Sequence, residues 1–199
     1  MAGMNVVEEP KLAAPGAGLP MPELVVARLM FKRRLRKGTR KSFRDKFESE
    51  RAMLRKIVEA AGAELAGKRV LIERVRGLED SSRYWSMWMT LEHLRIVHER
   101  MASVVEDLGR DMMPEGEVRT ADVKPGAEVG EAALKEFEES CDRLMATFEG
   151  VRDLKTRLQF EHPWFGPLDA FGWFCLAAGH MSIHREQMER IAEGFGHNQ

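Results

Sequence analysis

Residues 171–193 read FGWFCLAAGHMSIHREQMERIAE, followed by Gly194. At about 100° per residue, Trp173, Ala177, His180, His184, Gln187 and Ile191 fall on one stripe, the pattern of a helix that turns one face inward and stops at a glycine. His180 and His184 stand four apart on that stripe, so their Cβ atoms lie roughly 5–6 Å from each other. Two neutral imidazoles placed this way reach a single divalent cation at about 2.0–2.1 Å. On spacing alone, a hydrogen-bonded pair of core or groove histidines remains the alternative.

Working outward, the turn HPWFGP at 162–167 leads into this helix. Before it, residues 131–154 carry Leu134, Phe137, Leu144 and Phe148 on or near one face, with Cys141 between them. Residues 114–130 are rich in Gly, Pro and acid and read as a long loop. A helix is expected from a cap at Asp80–Ser82 to about residue 108, and another over 42–63 with Phe43, Phe47, Leu54, Ile57 and Ala61 on its stripe. Four long helices joined by loops predict an all-α chain folded as a four-helix bundle over residues 42–194.

Outside the bundle, residues 1–22 hold four prolines and no apolar period, which reads as a mobile tail, and 195–199 read as a second one. Residues 23–41 read as a basic amphipathic helix: LVVARLMF is followed, over 32–46, by nine Lys or Arg. One reading of it is weak contact with a membrane surface; the other is a docked helix with a solvated basic end.

The 199 residues carry 31 Lys plus Arg against 32 Asp plus Glu, a net charge of −1 that excludes a globally basic nucleic-acid binder. No phosphate-binding glycine loop is present. Two cysteines, Cys141 and Cys175, make no disulfide framework, and free buried thiols fit a cytoplasmic setting. The aromatic group Trp85, Trp88, Trp164, Phe165, Phe171, Trp173 and Phe174 reads first as core and second as the wall of an apolar pocket. A homodimer is compatible with this much apolar surface, although no heptad seam marks where it would form.

A third metal ligand must come from another helix. His93 lies on the apolar stripe of Met89, Ile96 and Val97, whereas His98 falls about 140° further round and is expected to be exposed. His162 sits in a turn, where capping is the commoner role, and His197 lies near the C-terminus. The best triad is His93, His180 and His184. Three imidazoles with open positions describe a reactive site rather than a closed structural one. Gln187, one turn beyond His184, is the candidate to orient a ligand or bound water, with a buried amide bonding a neighbouring helix as the alternative, and Arg185 is expected at the surface.

Three blocks then show a family resemblance. WSMWMTLEHL at 85–94, HPWFGPLDAFGW at 162–173 and HMSIHREQ at 180–187 resemble, in order and spacing, the W-S-x…E-H-L, H-P-x-F-G…W and H-x-x-H-H-R-x-Q blocks of DinB-like (YfiT-like) proteins. Where many relatives carry a further histidine, this chain has Ile183. The resemblance implies a down-up-up-down bundle with a divalent metal, zinc, nickel or similar, on His93, His180 and His184. It also implies thiol-dependent transfer or hydrolysis of a small-molecule substrate, with a low-molecular-weight thiol as a candidate co-reactant. The rival is a non-catalytic bundle that acts through dimerisation or a contact of its basic segment.

Overall fold

The computed structural model describes residues 9–196, so residues 1–8 of one expected tail and 197–199 of the other, with His197, lie outside the described residues. Five helices dominate: α1 (Met21–Lys37), α2 (Arg40–Ala66), α3 (Met87–Gly109), α4 (Ala132–Gly150) and α5 (Ala170–Gly196). Two antiparallel ribbons of two short strands each join them, β1 (Val70–Leu71) with β2 (Tyr84–Trp85), and β3 (Phe160–His162) with β4 (Gly166–Leu168).

Local chemistry sets the boundaries. Thr39 and Ser42 form a reciprocal capping box at the start of α2. Gly62, at φ 74°, interrupts that helix near its end with a backbone conformation that a side chain would strain. The helix expected to start at Asp80–Ser82 starts instead at Met87. Asp80–Ser82 forms only a single tight turn, strand β2 intervenes, and the Ser86 hydroxyl accepts from the Met89 N–H at 3.1 Å. A serine three residues before a free N–H is the stronger cap.

Cross-helix contacts fix the topology. Arg95 approaches Glu136, His98 meets Ser140 and Arg143 reaches Glu99, so α3 and α4 run parallel. Phe43 packs on Phe171 and Glu50 bonds Arg185, so α2 and α5 are parallel too. Arg44 pairs with Glu149 and Arg51 with Glu138, which sets α2 antiparallel to α4. The order is therefore down-up-up-down, as expected. Phe47, Leu54, Leu91, Leu94, Phe137, Leu144, Trp173 and Met181 fill the centre.

Parallel α3 and α4 force the chain to return the length of a helix, about 30 Å, between them. That return carries the single turn at Thr120–Val123 past the first turns of α3. It is pinned by Glu79, which is almost wholly buried and accepts from Thr120 Oγ1 at 2.9 Å and from Lys124 Nζ at 2.8 Å. Glu79 also accepts from the backbone of Gly16 and Gly18, and Asp80 from that of Ala13, so residues 13–18 of the N-terminal segment lie against the same corner. No helix among the described residues is long and apolar enough to cross a membrane.

Candidate metal centre

His93 projects from the second turn of α3, and His180 and His184 from the middle of α5. The three offer ring nitrogens that all lie within 4.8 Å of one another. His180 Nε2 is 3.0 Å from His184 Nε2 and 3.3 Å from His93 Nε2. Two nitrogens each about 2.0–2.1 Å from one ion, at a tetrahedral angle, are separated by about 3.3–3.4 Å. The spacing is that of ligands around a shared point.

Backbone and amide partners set the tautomers of two rings. His93 Nδ1 lies 2.7 Å from the Val123 carbonyl, which only accepts, so the ring proton is on Nδ1 and Nε2 presents a lone pair. His184 Nδ1 lies 2.7 Å from Gln187 Oε1. Gln187 is held in that orientation because its Nε2 donates to the Ser82 carbonyl at 2.8 Å. His184 therefore also presents Nε2 as a lone pair. Two bare lone pairs face His180 Nε2, and one N–H there serves only one of them. A divalent cation satisfies all three, so the donor set fits a metal.

Burial keeps the imidazoles neutral. It holds His93 and His180 well below the usual histidine range, with the closeness of His184 adding to both, and brings His184 to about 4. The Trp85 indole lies nearly parallel to the His184 ring and tilted against His93, with Lys124 Nζ over the indole at 5.5 Å from its centroid. His180 is the least supported of the three: its Nδ1 is buried with no hydrogen-bond partner among the described residues.

A cavity of about 490 Å³ opens onto the three rings. Val97, Met101, Leu176 and Ile183 line it with apolar surface, and Trp164, Phe165 and Trp173 of the aromatic group contribute to its wall. Trp173, Phe174, Trp85 and Trp88 are nevertheless core as well. Ile183, where the family resemblance places histidine in many relatives, faces Gly77, whose φ of 87° and lack of a side chain let the chain pass within contact.

Several placements differ from expectation. His98 is buried, 1% exposed, because α3 packs against α4 on one side and α5 on the other; its Nδ1 lies 3.1 Å from Ser140 Oγ. Arg185 is only partly at the surface, reaching in to the fully buried Glu50 at 2.6 Å. Burial alone would raise the Glu50 carboxyl, but hydrogen bonds from Lys46 and Arg185 outweigh it and hold the group ionised. Of the two readings of Gln187, the geometry is that of the buried amide: it is fully buried, with its two ends bonded to His184 and to the Ser82 carbonyl. His162 accepts from the Trp164 N–H within its turn, as the turn reading expects. The Val123 and Ser82 carbonyls were invisible to motif reading, since backbone atoms carry no residue signature.

No curated protein and no solved structure matches the chain. The family model of the DinB superfamily matches residues 46–188, a span that runs from α2 into α5 and includes all three converging histidines. A helical bundle of this topology, matched over that span, places the chain in the DinB superfamily.

Proposed function

We propose that the protein is a metal-dependent enzyme in which His93, His180 and His184 hold one divalent cation, zinc, nickel or similar. It acts on a small molecule by thiol transfer or hydrolysis. The observation that carries the reading is the convergence of three Nε2 atoms, two with tautomers locked from behind, on the floor of an apolar chamber. A bound divalent ion supplies Lewis acidity, enough to bring the pKa of a coordinated water to ~7 or to hold a thiol as its thiolate.

The protein's own groups do the rest. Val123 and Gln187 keep the Nδ1 protons of His93 and His184 in place, so both rings offer their lone pairs without rearrangement. Gln187 thus serves as a positioning residue that acts through His184. The apolar walls exclude water from a bound substrate, which strengthens every charge interaction inside. Neither cysteine serves as nucleophile: burial pushes the Cys175 thiol up to about 11 and the Cys141 thiol up as well.

The test is elemental analysis of untagged full-length protein, which should give about one ion per chain. His184→Ala should abolish that ion while far-UV helicity stays near wild type, and should abolish turnover in a screen of thiols against electrophiles and of hydrolysable esters and amides. An ion retained by the His184→Ala protein would refute the ligand assignment.

A further inference from the structure

Helix α1 is held to the bundle by one side only. Phe31 stacks on Phe165 with ring centroids 4.5 Å apart, Arg28 donates to the Trp164 carbonyl at 2.6 Å, and Glu23 turns inward to Arg74 and the Gly77 N–H. The opposite side makes no hydrogen bond or ion pair among the described residues. Three of the eight large hydrophobic side chains exposed among the described residues sit there, Met21, Val25 and Leu29, with Met21 and Leu29 exposed by 67% and 64%, and two more, Val26 and Met30, border it on the flank that lines the chamber. Single exposed apolar residues need no explanation, but a contiguous row does.

The same side is cationic at its far end. At about 100° per residue, Lys32 and Arg36 continue the line of Met21, Val25 and Leu29, flanked by Arg33 and Lys37. None of these four cations has an ion-pair or hydrogen-bond partner among the described residues. Glu23 is the only acid of α1, and it faces the other way. The outer face is therefore acid-free, aliphatic over its first half and positive over its second.

We propose that α1 docks the protein on an anionic lipid bilayer, its aliphatic half entering the interface and its cationic half lying among the headgroup phosphates. Two weak signals, apolar insertion and a basic cluster, are what stable but reversible membrane attachment requires. The surface is a lone convex helix with flexible, unpaired cations and no groove to grip a peptide, which favours a bilayer over an acidic protein. The helix is already folded and pinned, so docking carries no ordering cost for its backbone. The inner side of α1, through Ala27 and Phe31, walls the chamber, so attachment brings that chamber beside the bilayer. The docking face stands independently of the metal reading, since it uses none of the histidines.

The experiment is co-sedimentation of the full-length protein with vesicles of phosphatidylcholine, with and without phosphatidylglycerol. Binding should require the anionic lipid and weaken steeply with added salt. Replacing Lys32, Arg33, Arg36 and Lys37 together by Gln should lower the partition coefficient on the order of 1,000-fold at low salt, and Val25→Ser with Leu29→Ser about tenfold. Metal content and far-UV spectra of both variants should match wild type, because every changed side chain is exposed. No sedimentation with anionic vesicles at low salt would overturn the proposal. So would binding that ignores the Val25 and Leu29 changes, or retention by an acidic peptide without retention by vesicles.

Discussion

α3 carries two buried histidines five residues apart, and they live in different chemistry. His93 has one nitrogen fixed by the Val123 carbonyl and the other aimed at two further imidazoles. His98 has Nδ1 against the Ser140 hydroxyl, aromatic rings of Phe47 and Phe137 at 5.4 and 5.8 Å, and an Nε2 with no partner among the described residues. Both are almost wholly buried and both are held neutral, His98 at about 3. Burial of a histidine, then, says nothing about its role. Each ring has one partner behind it; what separates the two is the convergence of further imidazole nitrogens in front of His93 and the lack of any partner in front of His98 among the described residues.

The largest contrast between them should be in metal binding. His93→Ala removes one of three donors and should lower affinity by more than the 10–100-fold typical of an outer hydrogen-bond partner, leaving substoichiometric metal after purification. His98→Phe should leave the metal content at wild type. Its phenyl ring suits the Phe47 and Phe137 neighbours, and Ser140 keeps its own bond to the Phe137 carbonyl at 2.7 Å. Equal loss of metal in the two variants would erase the distinction.

Much of this contrast was legible in the sequence, and part was not. The stripe of Trp173, His180, His184 and Gln187 follows from helix periodicity, and His93 from the apolar side of α3. A stripe argument puts His98 at the surface because it assumes one packed face, whereas α3 is sandwiched and buries Val97, His98, Met101 and Ala102 in succession around its circumference. The carbonyls behind the three-histidine cluster escaped altogether. Ser82 and Val123 lie in connecting segments whose backbone path depends on Glu79 and on the return between parallel helices. Strands of two residues, such as β1 and β2, are too short to show alternation.

A weaker perturbation separates holding a ligand from being one. Gln187→Met keeps the volume but removes the acceptor for His184 Nδ1 and the donor to Ser82. Metal affinity should fall about 10–100-fold, and thermal or urea stability by about 1–3 kcal/mol for the buried partners left unpaired. Gln187→Glu restores an acceptor and should recover affinity more than stability. A purely structural Gln187 would lower stability in both variants and leave metal affinity unchanged, which isothermal titration with zinc would reveal.

The smallest effect is the dependence of folding on pH, where the non-ligand histidines can be read alone in metal-free protein compared variant against parent. Burial brings His98 to about 3 and His162 to about 4, both below the ~6.5 of an unfolded chain. Above ~6.5 neither state takes a proton, so neither residue makes stability depend on pH. As pH falls below ~6.5 the unfolded chain protonates first, and each group costs up to about 1.4 kcal/mol per pH unit until its folded value is reached. His98→Phe deletes one of these terms. Its unfolding free energy should stay within about 1 kcal/mol of wild type at pH 7.5, and the difference should move in its favour by about 1.4 kcal/mol on going to pH 5.5. A pH slope identical in variant and parent would mean that His98 exchanges protons with water in the folded state, and the contrast with His93 would then lie in solvent access rather than in partners.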